Sequence, residues 1–221
     1  MARSARLVVP GCPHHVTQRG NRRQKVFFDD ADYRDYIALM AASCAKAGTA
    51  VWAYCLMPDH VHMILVPSNE DGLRAAVSDT HRRYARRVNA REDCSGHLWQ
   101  GRFASFPMDE AHLLACARYV ELNPVRAKLH RSPRAWPWSS ARAHLAGKDD
   151  ALVTVAPLLE RVGDWKTFLA GGLDDAALDT IRSRERSGHP LGDNAFFKKL
   201  KRRLGRDVKP AKRGRPPLPK N

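Results

Sequence analysis

Apolar and polar positions follow two different periods along this chain. Short runs at His14 to Gln18, Val51 to Leu56, His60 to Val66 and Leu98 to Phe106 are bounded by Pro, Gly, Asn or Asp, and they predict four strands. Between the first two, Tyr33, Ile37, Met40 and Cys44 recur at helical spacing. Asp29 or Asp30 can cap that helix, and Gly48 ends it just past Ala47. A second helix is predicted from Asp71 to about Arg91. A third starts at an Asp109 cap and packs through Leu113, Leu114, Ala117 and Val120. Strand, helix, strand, strand, helix, strand is the order of a split βαβ sandwich. The expected class is therefore α+β, ferredoxin-like or RRM-like. An antiparallel sheet of four to five strands should have helices on one face, leaving the other free for function.

After the third helix the chain turns irregular at Trp136-Pro137-Trp138, then helical near Ala141 to Leu145. Further helical patterns run over Ala156 to Val162 and Leu173 to Arg184, in a stretch where acidic residues gather. Asn194 can cap a last helix in which Phe197, Leu200 and Leu204 form a stripe backed by lysines and arginines, with Gly205 as its stop. Three parts are expected: a main domain over 1–146, a helical acidic connection over 147–190, and a basic helix with a disordered tail over 191–221. The Arg-Gly-Arg-Pro character of that tail suits an arm entering a DNA minor groove.

Charge changes the picture more than composition does. The 221 residues carry a formal net charge of +15 at neutral pH, which calls for a polyanionic partner. No apolar run approaches the ~20 residues that span a bilayer, and the first residues lack the apolar segment of a secretion signal. The five cysteines form no Cys-x-x-Cys pair, so they read as reduced thiols of a cytoplasmic protein. Arg19-Gly20-Asn21-Arg22-Arg23-Gln24-Lys25 collects the side chains that bind phosphates and base edges, although a solvated hairpin tip has the same composition. Arg82/Arg86 and Arg83/Arg87 stack like charges one turn apart, which a phosphate backbone would relieve and a merely solvated face would tolerate.

Candidate chemistry centres on His60-Val61-His62. Alternate strand residues share a face, so the two imidazoles emerge together while Val61 points into a core. They can hold one metal ion, or be two half-buried structural histidines. His14 and His15 read as structural. Tyr119 and Asn123 lie one turn apart on the third helix, nearly opposite its apolar contacts. Tyr119 also fits as a half-buried core residue. Asn123-Pro124 also fits as the start of a short helix from Val125 to Leu129.

Four motifs together carry a resemblance. Met57-Pro58-Asp59-His60-Val61-His62, Trp99-Gln100-Gly101-Arg102-Phe103, Arg118-Tyr119-Val120-Glu121-Leu122-Asn123-Pro124-Val125-Arg126-Ala127 and Trp136-Pro137-Trp138-Ser139-Ser140 resemble the single-tyrosine HUH transposases, in particular their REP-associated branch, from about Ala5 to Leu145. The resemblance implies His60 and His62 as metal ligands, Asn123 as a third ligand and Tyr119 as the nucleophile. Mg²⁺ or Mn²⁺ would suit that oxygen-containing shell. It further implies cleavage and rejoining of single-stranded DNA, hairpin or palindromic, through a 5′-phosphotyrosine, by a monomer or a homodimer. Arg19, Arg22, Arg23, Arg82, Arg86 and Arg102 are the candidates for backbone contacts. Two alternatives stand beside this: another HUH nickase, and a non-catalytic DNA- or RNA-binding module on the same fold.

Overall fold

The computed structural model describes residues 6–209. The expected minor-groove arm therefore lies outside the described residues, beyond Lys209. Four strands, β1 (His14–Arg19), β2 (Thr49–Met57), β3 (His60–Pro67) and β4 (Ala104–Pro107), form one sheet of order β2-β3-β1-β4. All pairings are antiparallel, so the architecture is the α+β split βαβ sandwich expected from the pattern.

One face is covered by α1 (Asp30–Ala47) and α2 (Asp79–Arg91). Helix α1 begins where the Asp29 carboxylate accepts the Asp32 amide at 2.9 Å, and it stops at Gly48, whose φ of +59° suits a residue without Cβ. Val16, Val61, Met63 and Leu65 point from the sheet into this layer and meet Tyr36, Met40 and Tyr84. The two tryptophans of the Trp-Pro-Trp loop join the packing. Trp138 stacks on Tyr33 at 4.7 Å between centroids, and the Trp136 indole donates to the Leu56 carbonyl at 3.0 Å.

The second face is not free. It is roofed by α3 (Glu110–Glu121), followed by α4 (Asn123–Arg126), α5 (Ala141–Ala146), α6 (Ala156–Val162), α7 (Trp165–Ala170) and α8 (Asp175–Ser187). Ala53, Cys55, Ile64 and Phe106 point to this side, and bare apolar sheet must be buried. Leu158, Trp165, Leu169 and Ile181, from the acidic stretch, supply the cover. Helix α7 was not apparent in the sequence pattern; it is set by Asp164, whose carboxylate accepts the Lys166 amide at 3.0 Å. Helix α9 (Asn194–Leu204) closes the described chain, with Leu191 bridging to Met108.

The fourth strand is shorter than its apolar pattern suggests. Trp99 makes only an isolated antiparallel bridge to Gly20 while its indole donates to the His81 carbonyl at 3.2 Å, and Gly101 turns with φ of +69°, so continuous pairing begins at Ala104. The five cysteines are all unpaired thiols. No helix among the described residues is long and apolar enough to cross a membrane.

Candidate active site

The β2–β3 hairpin fixes the first two site residues. In register, Met57 faces His60 and Cys55 faces His62, so both imidazoles project from the α3 side of the sheet with ring centroids 4.9 Å apart. The Asp59 carboxylate lies 2.5 Å from His60 Nδ1 and 2.8 Å from the Arg19 guanidinium. Burial alone would raise its pKa, but these two partners hold Asp59 below the usual carboxylate range. With Nδ1 donating to Asp59, the lone pair of His60 Nε2 is left free, as a metal ligand requires.

His62 is deeper. Its Nδ1 lies 3.1 Å from His15 Nε2 and 3.5 Å from the Glu185 carboxylate, which α8 brings from far along the chain. Burial first, then the neighbouring histidines, push His62 well below its ordinary pKa, and burial lowers His15 to about 3. Both are therefore neutral at physiological pH, the form that binds a metal. Burial raises Glu185 to about 7.

Tyr119 sits over these rings. Its centroid is 5.3 Å from that of His62, edge to face, and 6.0 Å from that of His15. The Arg126 guanidinium lies 4.2 Å from the Tyr119 centroid and donates to the Tyr119 carbonyl at 2.9 Å. Burial, then the Glu185 charge, raises the phenol to about 12, while Arg126 and Arg182 act to lower it. Asn123 follows one turn later as the first residue of α4, buried, where Leu122 departs from helical geometry and Pro124 begins the new turn.

A buried carboxylate anchors this part of α3. Glu121 accepts from Ser140 at 2.6 Å and from the Trp165 indole at 2.8 Å, and it lies 2.7 Å from His144 Nδ1. It thereby ties the turn between Tyr119 and Asn123 to α5 and α7.

The donor set fits a divalent cation. His15, His62 and Glu185 offer ligand atoms all within 4.8 Å of one another, and both His15 Nδ1 and Glu185 Oε1 are buried without a hydrogen-bond partner. Two imidazoles and a carboxylate without a thiolate suit a divalent cation rather than a thiolate-seeking one. The cluster shares His62 with the expected His60, His62 and Asn123 set. His15 and Glu185 were not recognised as site residues in the sequence. For His15 the signal was faint: two strand residues away, Thr17 pairs with His62 in register.

The expected DNA contacts divide. Arg19, Arg22 and Arg23 lie at the end of β1 and in the loop after it, beside the His60 end of the hairpin. Arg102 is exposed in the loop before β4. Arg82 and Arg86 sit on α2, across the sheet from Tyr119. Arg82 pairs with Asp79 at 2.6 Å, and Arg83, Arg87 and Arg91 likewise have carboxylate partners. The like-charge stacking on α2 is thus answered by acids of the chain at Arg82, Arg83 and Arg87 and, among the described residues, not at Arg86.

Residues 8–123 match the family described as "Transposase IS200 like". A candidate REP-associated tyrosine transposase of Haemophilus influenzae is 25% identical over 99 residues, covering 40% of this chain and 56% of that protein. The match thus spans little more than half the length of that curated relative. A solved REP-associated tyrosine transposase bound to a REP hairpin superimposes with a TM-score of 0.54 at 19% identity, covering 70% of this chain and 92% of that chain. At that identity the likeness speaks for the fold alone. The family match spans more than half of the chain and takes in His60, His62, Tyr119 and Asn123, so the chain belongs to the IS200-like transposase family.

Proposed function

We propose that this protein cleaves and rejoins single-stranded DNA by transesterification, with Tyr119 as the nucleophile. The observation that carries the reading is the packing of the Tyr119 ring, 5.3 Å from His62 on the strand that also presents His60. Attack of the phenolate oxygen on a backbone phosphorus forms the phosphotyrosine bond and breaks the P–O3′ bond, and the released 3′-oxygen takes up a proton. The protein keeps the 5′-phosphate. A second 3′-hydroxyl can reverse the step, so rejoining needs no nucleotide cofactor.

A phenol raised to about 12 is a weak nucleophile, and its proton must be drawn off in the reacting state. Arg126, stacked on the ring, stabilises the phenolate that results. His60 and His62, with Asn123 or with Glu185 and His15, would hold a Mg²⁺ or Mn²⁺ ion. When bound, such an ion polarises the scissile phosphate and offsets charge in the in-line transition state. Arg19, Arg22, Arg23 and Arg102 are the nearer candidates for the DNA backbone, with Arg82 and Arg86 as remote contacts and the basic α9 as an accessory DNA-binding element. The hairpin in the solved relative makes an unpaired strand beside a hairpin the substrate to try first.

The test incubates the full chain with a labelled hairpin oligonucleotide bearing single-stranded flanks, with Mn²⁺ or Mg²⁺, and seeks a denaturation-resistant adduct. The adduct should form with wild type, vanish in Tyr119→Phe and vanish in His60→Ala. The burial of Tyr119 under α8 favours one competing reading, a binding protein on the same fold. Tight hairpin binding with no adduct in any metal would establish that reading instead.

A further inference from the structure

The segment from Gly20 to Phe28 is built in a way that packing does not explain. Its ends are fastened to the β2–β3 turn: the Gly20 amide donates to the Asp59 carbonyl at 2.7 Å and the Val26 amide to the Pro58 carbonyl at 2.8 Å. A Cβ at Gly20 would stand 2.3 Å from the Gln24 carbonyl oxygen, so only glycine closes this loop. Inside it, Arg22 and Arg23 adopt φ of +53° and +60° in succession. Left-handed backbone costs a residue with a Cβ roughly 1–2 kcal/mol. Both side chains are exposed, and neither has an acidic partner among the described residues. The strain therefore turns two cations toward solvent.

Opposite this loop runs the segment from Glu92 to Leu98, tied to it by the Asn21 amide donating to the Leu98 carbonyl at 2.8 Å. Between the two walls lies a groove of about 360 Å³ lined by Gln24, Lys25, Phe28, Asn89, Glu92 and His97, the Glu92 carboxylate being paired with Arg91 at 2.8 Å. Phe28 is 50% exposed, the most exposed large apolar side chain among the described residues, while its neighbour Phe27 is buried. The Arg91 guanidinium lies 5.5 Å from the Phe28 centroid. A water-facing phenyl ring flanked by an ammonium, amides and an imidazole, with the Glu92 carboxylate already held by Arg91, matches an unpaired nucleotide: a π-face to stack, a base edge to meet and a phosphate to neutralise. The first wall hangs from Pro58 and Asp59, and the next residue is His60.

We propose that this groove binds one unpaired nucleotide of the DNA strand flanking the cleavage point. Its base stacks on Phe28, and Lys25, Arg22 and Arg23 meet the adjoining phosphates. The inference rests on the single-stranded DNA reading above and is tested without its chemistry. The full chain in EDTA is titrated with a fluorescein-labelled oligothymidylate, following anisotropy. Phe28→Ala should weaken binding by about tenfold, the scale of one lost base–aromatic stack, and Phe28→Trp should retain it. Irradiating wild type with an iododeoxyuridine-substituted oligonucleotide should crosslink the peptide that contains Phe28. Equal affinity of Phe28→Ala, or equal loss in Phe28→Trp and Phe28→Ala, would overturn the groove while leaving single-strand binding intact. If wild type binds no single-stranded oligonucleotide, the DNA reading falls and the groove with it.

Discussion

The two faces of one sheet have been put to different uses. Toward α1 and α2, Val16, Val61, Met63 and Leu65 are wholly buried and meet aromatic rings. Toward α3 and α8, the neighbouring positions on the same strands include His15, His60 and His62, roofed by Tyr119 and Glu185. A strand supplies both faces at once, so the apolar face can hold the imidazoles rigidly without adding a polar group to its own layer. Tolerance to substitution therefore differs between the faces. Substitutions on the first face should act on stability, and those on the second on metal and substrate.

The sharpest way to break that separation is Leu65→Ala. It empties a fully buried position in the α1/α2 layer and should cost about 2–5 kcal/mol by chemical denaturation, with Mn²⁺ affinity of the folded fraction unchanged. Loss of metal affinity in the folded fraction would mean that the two faces are not independent.

On the other face, Glu185→Gln keeps the shape of the side chain and removes its charge. We expect Mn²⁺ affinity, read by calorimetry, to fall by about 10–100-fold, whether Glu185 is a ligand or supports His62. An unchanged affinity would assign the ion to His60, His62 and Asn123 without help from α8.

Acid offers a third probe, one that acts on both layers. His81, in the α2 layer, and His14, on β1, are lowered by burial to about 3 and about 4. Each stays neutral when folded and takes a proton when unfolded, so its contribution is present above the unfolded pKa near 6.5. That contribution is lost as pH falls toward the folded value, by up to ~1.4 kcal/mol per pH unit per group. His15 adds in the same direction. Glu185, raised to about 7, works the other way between that value and its unfolded 4.5, gaining stability as pH falls. The melting temperature of the metal-free protein should therefore drop from pH 6.5 to 5, and His81→Gln should flatten that limb. An unchanged slope in the variant would remove His81 from the account.

The smallest effect concerns the arginines. Arg82→Ala should alter stability by no more than ~0.5 kcal/mol, and single-strand affinity by less than about twofold. Arg22→Ala or Arg23→Ala should lower the salt dependence of binding by about one unit of slope. A larger loss in Arg82→Ala would place the DNA across the α2 face.

Much of this was legible before any coordinates. Period-two and helical patterns, the Asp29 and Asp109 caps and the Gly48 stop fixed the order of elements, and that order fixed the split βαβ class. Val61 between two histidines already placed His60 and His62 on one face, because strand alternation is a local property. The spacing of Tyr119 and Asn123 was readable for the same reason. Local chemistry also marked Arg22 and Arg23, though not their left-handed backbone, which depends on where the loop is fastened.

Tertiary structure alone decided the rest. No local pattern says which face of α8 lands on the sheet, so Glu185 could not be joined to His62, 123 positions earlier, from the sequence. His15 looked structural because its value as a neighbour depends on the β1–β3 register, a pairing across more than 40 residues. The acidic stretch reads as a connection because Gly147 to Asp150 mark a boundary and the charge balance turns acidic beyond it. Trp165, Leu169 and Ile181 nevertheless suffice to roof a sheet face that would otherwise stand open to water. Periodicity and capping act within a turn or two of chain, whereas burial and the meeting of charged groups are settled only when distant segments compete for the same surface.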